Sequence, residues 1–297
     1  MEIKFLVSFN FKVLSDFYII IKENVIRRDL KESLRITFLI FVFVCFCSFR
    51  VTAQINVLGK PGYILTPSSR WETGKPTGIF GVAYIPREYA VKQFFDEYYN
   101  ELMLHSTVDL TSFLRVTLNL AYLPEIPERM GVGDRHVDIS LRLLKERKYI
   151  PSLAIIITPP IGVSDPMTYN LAVASKQIGW NDKKQIEISV GYGLEIRYLD
   201  YNGALRNGLK PGFYPREDFN EHYLNGFFVG SRFMPFEWLG FTAEYDSKNI
   251  NGGVFVTLAK ILSLQVTAYG FDRFGGMIHL NLPLVNKPWE FRKYEKN

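Results

Sequence analysis

Between Arg115 and Leu282 the chain repeats one pattern: apolar on one side, polar on the other, with a period of two. The clearest run is Ile186-Glu187-Ile188-Ser189-Val190-Gly191-Tyr192-Gly193-Leu194-Glu195-Ile196. Its even positions are apolar; its odd positions are acidic, small or hydroxylated. A β-strand sends successive side chains to opposite faces, so this segment predicts one greasy face and one wet face. A tilted strand needs roughly 9–11 residues to cross a bilayer, about the length of this run. The alternation recurs in Val116–Leu120, Val137–Leu143, Leu262–Thr267 and Ile278–Leu282. Repetition of such a unit predicts an all-β chain closed into an antiparallel up-and-down β-barrel of the outer-membrane type.

Twelve strands are expected, near 78–86, 101–110, 113–123, 134–146, 152–162, 170–178, 186–196, 225–235, 239–246, 252–260, 262–271 and 274–282. Long connections fall near 87–100, 124–133, 163–169 and 197–224, and short ones near 111–112, 147–151, 236–238 and 261. Outer-membrane barrels have short periplasmic turns and longer outside loops, and the alternation of lengths follows that rule. The 179–185 connection, of medium length, and the short 272–273 connection break it. Segment 54–77, with Pro61-Gly62 and Thr66-Pro67-Ser68, is left over as an extra strand or a plug, ahead of a barrel domain at 78–297.

The N-terminus predicts export. Ile36–Ser48 is an uncharged apolar run, preceded by Arg27, Arg28, Lys31 and Arg35 and followed by Val51-Thr52-Ala53. That order is the one of a secretory signal, and the run is shorter than the ~18 apolar residues of a spanning helix. Cleavage is expected between Ala53 and Gln54, which makes 1–53 the signal peptide; an uncleaved anchor is the competing reading. Residues before Ile26 exceed an ordinary n-region, as a start codon assigned too early would produce. Cys45 and Cys47, the only cysteines, both lie in the apolar run. The exported part then has neither a disulfide framework nor thiol chemistry.

Charge changes the picture little. The formal net charge is +5, and residues 1–53 carry eight Lys/Arg against five Asp/Glu, leaving about +2 on the rest. That is no nucleic-acid footprint. Aromatic residues make up 15% of the chain, a share that suits interfacial girdles. Trp71, Trp180 and Trp238 fall near expected strand ends and read as girdle anchors, with sugar stacking as the alternative.

His136, Asp138, Ser140 and Arg142 share one face of one strand. A hydrolase would want a nucleophile, a base and an orienting acid within hydrogen-bond reach. Same-face neighbours on a strand stand about 6.6–6.8 Å apart and point in parallel, a poor relay geometry. The favoured reading is a luminal polar network with Arg142 paired across the sheet. Arg115, Glu187, Glu195, Glu244 and Asp246 join His136, Asp138 and Arg142 as expected luminal groups, with His105 and His279. His222 falls in the longest loop. No histidine pair has metal-ligand spacing, so neither a metal nor another cofactor is expected. The loop 87–100 places Tyr89, Phe94, Phe95, Tyr98 and Tyr99 among acids and bases, a composition able to stack sugars or to cover the barrel mouth.

Several pieces together resemble the YjbH family. They are Gly62-Tyr63-Ile64-Leu65-Thr66-Pro67-Ser68, Asp134-Arg135 with Leu143-Leu144-Lys145-Glu146, Pro151–Ile155, Leu171–Lys176, Gly191-Tyr192-Gly193 and Ala243–Ser247, in family order. The resemblance implies an outer-membrane β-barrel linked to exopolysaccharide and group 4 capsule production. The partners it implies are the lipid bilayer, polysaccharide and other export-machinery proteins. It supplies no catalytic residues. Three functional readings stand at this point: a non-enzymatic outer-membrane barrel assisting polysaccharide export or assembly, a barrel enzyme acting on lipid or glycan through His136, and a soluble periplasmic β protein with its apolar face inward.

Overall fold

The computed structural model describes residues 54–71, 77–91, 93–94, 97–126, 134–159, 169–181, 184–199, 208–219, 223–258 and 261–284. The expected signal peptide, Phe95 and His222 lie outside the described residues.

The strands are β1 (Thr77–Ile85), β2 (Gln93–Phe94), β3 (Glu97–Tyr98), β4 (Glu101–Asp109), β5 (Leu114–Tyr122), β6 (Asp134–Leu144), β7 (Ser152–Ile157) and β8 (Leu171–Asn181). They continue with β9 (Lys184–Gly193), β10 (Ile196–Leu199), β11 (Gly212–Pro215), β12 (Gly226–Phe236), β13 (Leu239–Tyr245), β14 (Ile250–Leu258), β15 (Leu262–Tyr269) and β16 (Arg273–Pro283). Twelve of them close one antiparallel barrel, in the order β1-β16-β15-β14-β13-β12-β9-β8-β7-β6-β5-β4. Sequential neighbours pair, as an up-and-down barrel requires. Closure comes at β1, where Gly81 faces His279 of β16 on one side and His105 of β4 on the other. The remaining strands form two hairpins outside the ring, β2 with β3 and β10 with β11, both within long connections.

The alternation sets which face meets which medium. Side chains such as Phe80, Leu104, Leu118, Ile188, Val190, Phe227, Phe241, Val254, Val266 and Ile278 are exposed on the outside. Their strand neighbours are buried and polar: His105, Asn119, Ser189, Thr242, Gln265, Thr267 and His279. A water-soluble barrel has the opposite sense, since burying apolar area is what stabilises it. The reading with the apolar face inward is therefore corrected: the period-two pattern points its greasy side outward.

Two strand boundaries differ from expectation for visible reasons. β7 stops at Ile157 instead of continuing to 162, because Pro159 and Pro160 cannot donate to a ladder. The cleanest alternating run, 186–196, splits. β9 ends at Gly193, and Ile196 starts β10 instead, which pairs with β11 beyond the barrel. A Cβ on Gly193 would lie 1.9 Å from the carbonyl oxygen of Leu224, so the returning chain crosses the strand at this glycine. At the other end of β9 an expected irregularity vanishes. β8 runs on to Asn181, which pairs with Lys184, so only two residues separate the paired strands. The pairing slips between Gly179 and Asn181, and this bulge scrambles the alternation that marks a strand. Similar slips at Arg142/Leu144 and Phe233/Phe236 fall at the same rim, where the short connections lie.

Residues 54–71 contribute no strand to the ring. They fold back on themselves through isolated bridges Ile55↔Pro61 and Gly62↔Pro67 and are almost wholly buried. Asn56 organises the first turn: its Oδ1 accepts from the N–H groups of Leu58 and Lys60 at 3.0 and 2.9 Å. Gly59 supplies the positive φ of 70° that this turn needs. Val57, Leu58, Ile64 and Leu65 join an apolar cluster with wall residues that include Met103, Ile156 and Phe228.

Candidate functional site in the lumen

The lumen is built by the inward side chains of the barrel strands together with the 54–71 segment. Three wall carboxylates receive that segment. Glu244 of β13 accepts the backbone N–H groups of Ile64, Leu65 and Thr66 at 2.9–3.0 Å and the Thr66 hydroxyl at 2.7 Å. Three successive amides converging on one carboxylate form an anion nest turned against the wall. Asn251 of β14 donates to Glu244 and also to Asp246, at 3.1 and 2.8 Å, which ties both acids to one amide.

Glu187 of β9 is the second. It accepts from Ser68 Oγ at 2.6 Å and from the Tyr63 hydroxyl at 3.2 Å. Its other oxygen meets Arg70 of the segment at 2.9 Å and Arg232 of β12 at 2.6 Å. Burial and the neighbouring Glu187 push the Tyr63 phenol well above its ordinary range. The Tyr63 ring fits because β12 has a glycine opposite: a Cβ on Gly230 would stand 2.3 Å from Tyr63 Cδ2.

Asp138 of β6 is the third. Lys60 approaches it at 2.7 Å, both side chains being fully buried. Asn119 Nδ2 donates to the same oxygen at 2.7 Å, His136 Nε2 lies 3.0 Å from it, and Thr158 donates to the other at 2.5 Å. Burial draws the Lys60 amine below the usual lysine range, and Asp138 opposes that pull. Lys60 also sits 4.1 Å from the centre of the Tyr169 ring.

Below these anchors the segment leaves along a polar ladder. Ser69 donates its N–H to Ser175 Oγ at 2.8 Å, and its hydroxyl lies 2.5 Å from that of Ser152. Arg70 reaches Glu146 at 2.6 Å. Trp71 then lies between two wall cations, with Arg142 at 4.4 Å and Arg115 at 5.4 Å from its ring centre. Arg115 in turn bonds Asp109 at 2.5 Å. Trp71 is thus an inner residue and no girdle anchor. Trp238 is exposed and stacks on Phe236 at 5.8 Å, as a surface aromatic does.

The expected luminal groups sort clearly. Arg115, His136, Asp138, Glu187, Glu244 and Asp246 are buried within the barrel, and Arg142 reaches the carbonyl of Trp71 at 3.0 Å. Glu195 is a correction. It falls past the end of β9, is exposed, and accepts a hydrogen bond from Tyr192, because the strand stops three residues earlier than its alternation suggests. The four-residue face of β6 divides. Ser140 Oγ has no hydrogen-bond partner among the described residues, and His136 turns to Asp138 and Asn119.

The aromatic loop is likewise divided. Tyr89 turns to the barrel mouth, where it donates to Asp272 at 2.6 Å and packs on Tyr269 at 5.5 Å. Burial and Asp272 push its phenol up to about 12. Tyr98 lies on β3, exposed, and Tyr99 donates to Glu97 at 2.6 Å. Phe94 lies on β2. Lys60, Tyr63, Ser68, Ser69 and Arg70 were not expected as site residues. Each meets a partner more than 70 residues away in sequence, a pairing that periodicity does not encode.

A family model described as "Exopolysaccharide biosynthesis protein YbjH" matches residues 54–253. The chain belongs to the YjbH family. The match begins with the inner segment and runs into β14; β15 and β16 complete the barrel beyond it. No curated protein matches the chain. Two solved structures are similar in outline. An outer membrane channel from Pseudomonas putida F1 aligns at 10% identity with a TM-score of 0.37, over 72% of this chain and 97% of that one. The Salmonella typhi outer membrane phospholipase dimer with bound calcium aligns at 8% identity with a TM-score of 0.36, over 71% and 91%. The chain is a closed barrel of a family associated with exopolysaccharide biosynthesis.

Proposed function

We propose that this protein sits in the outer membrane and assists the export or assembly of exopolysaccharide without catalysing a reaction. One observation carries the reading: the barrel exposes its apolar side chains around the outside and keeps charged and hydroxylated ones within. Contiguous apolar surface on this scale marks a protein or lipid interface. Strands such as β4 and β6, of 9 and 11 residues, have the length that tilted crossing requires. The signal-like N-terminus supports delivery across the inner membrane, and the family supplies the polysaccharide. The inner segment supports an accessory role beside a separate exporter, because it occupies the lumen that a solo pore would need open. Among the described residues Ser140 Oγ meets no base that could activate it, which supports a non-enzyme.

Deletion of the protein is expected to reduce or alter surface and secreted polysaccharide while precursor synthesis continues. Unchanged output in a clean deletion strain that otherwise makes polysaccharide abundantly would overturn the reading. Carbonate-washed membranes are expected to retain the protein, and release into the wash would remove it from the bilayer.

A further inference from the structure

We infer that residues 54–71 are a displaceable plug and that its withdrawal opens a cation-selective lumen. This rests on the membrane placement proposed above. The chain folds this segment inside a ring that closes without it: β1 pairs directly with both β16 and β4, and the segment adds no ladder. Its removal therefore breaks no strand pairing.

The polar contacts that hold it are of a kind that water replaces. They are hydroxyl pairs such as Ser69–Ser152 and Tyr63–Ser189, ion pairs such as Lys60–Asp138 and Arg70–Glu187, and the amides on Glu244. The apolar cluster that Val57, Leu58, Ile64, Leu65 and Trp71 form with the wall favours the closed state at rest.

The charges decide what would pass. Within the wall, Asp109 is matched by Arg115 and Glu187 by Arg232. Asp138 takes its cation, Lys60, from the segment, and Glu244 is held by the segment's own N–H groups. When the segment leaves, Lys60 and Arg70 leave with it, and the Asp138 and Glu244 carboxylates turn to an aqueous lumen. Carboxylates that line a narrow aqueous pore without a paired cation concentrate cations and repel anions. The open lumen would thus admit small hydrated cations and disfavour a polyanionic glycan.

The test is single-channel recording on the purified full chain in planar lipid bilayers with a potassium chloride gradient, in a background with C45S and C47S. The wild type is expected to be mostly closed. Lys60→Met with Arg70→Met keeps every wall charge and removes both segment cations. Its open time is expected to rise by about tenfold or more, equivalent to ~1.4 kcal/mol, with a reversal potential of the cation-selective sign. Ser69→Cys with Ser152→Cys, oxidised, is expected to be silent, and reduction of the same molecules is expected to restore openings at raised voltage. A folded, inserted charge variant that stays closed, or one whose openings favour chloride, would overturn the inference. Equal behaviour of the oxidised and reduced cysteine pair would overturn it as well, and that comparison decides alone if the charge variant does not fold. Conductance is read without any polysaccharide, so unchanged polysaccharide output with gated cation currents would remove the accessory role and leave this inference standing.

Discussion

Glu244 holds Thr66 twice, accepting its backbone N–H at 2.9 Å and its hydroxyl at 2.7 Å with the same oxygen. The two residues are 178 positions apart, and this contact ties the inner segment to the strand across the ring. A carboxylate suits the place because it accepts only, and the convergent amides offer donors only.

Replacing Glu244 by Ala leaves those donors buried without an acceptor, at roughly 1–3 kcal/mol for each group that stays dry. Glu244→Ala is expected to loosen the segment while the ring persists. Limited proteolysis of the protein in detergent checks this: cleavage between 54 and 71 should speed up and the barrel fragment should stay intact. Unchanged protection of the segment would mean the apolar cluster alone holds it.

The segment also depends on an absence of bulk. Gly230→Ala places a Cβ 2.3 Å from Tyr63 Cδ2, whereas a Cβ on Gly179 meets nothing within 4 Å. Overpacking of this kind typically costs 1–3 kcal/mol, roughly. Gly230→Ala is expected to lower the thermal midpoint or release the segment, and Gly179→Ala to do neither. Equal midpoints for the two would show that Tyr63 swings aside at no cost.

The two faces of β9 make opposite predictions. Val190 faces out and Ser189 faces in toward Tyr63. Val190→Arg near the bilayer midplane is expected to cost about 2–4 kcal/mol in lipid. Ser189→Ala removes a hydroxyl that meets both Tyr63 and Ser175 and is expected to cost about 0.5–1.5 kcal/mol for each bond lost. Unfolding titrations in lipid vesicles rank them, and the reverse order would take the apolar face out of the bilayer.

Strand identity, strand number and inward orientation were legible because period two is a local signal that each strand repeats, as in Val137–Leu143. What was not legible lies in contacts across the lumen. Nothing in the sequence near Lys60 points to Asp138, and nothing near Ser69 points to Ser152. Glu195 escapes the pattern for a different reason: it lies in the bend between β9 and β10, where the barrel strand has already ended. A tryptophan near a strand end, such as Trp71, looks the same from sequence whether it meets lipid or two arginines.

The Asp138 cluster separates a structural network from a catalytic one. Asp138 receives Lys60, Asn119 and His136 on one oxygen and Thr158 on the other, which leaves it committed as an acceptor. Truncating it strands a fully buried Lys60, and breaking a buried pair on one side costs about 3–5 kcal/mol. Asp138→Ala is therefore expected to lower the amount of protein in the membrane, and polysaccharide output with it. His136→Ala removes one of several contacts to Asp138, and Ser140→Ala removes a hydroxyl with no hydrogen-bond partner among the described residues. Both are expected to leave protein level and output unchanged. The measurement is membrane protein abundance alongside surface polysaccharide for all three variants. A network predicts that output follows abundance. Loss of output at normal abundance in both His136→Ala and Ser140→Ala would instead make this face of β6 a reaction centre.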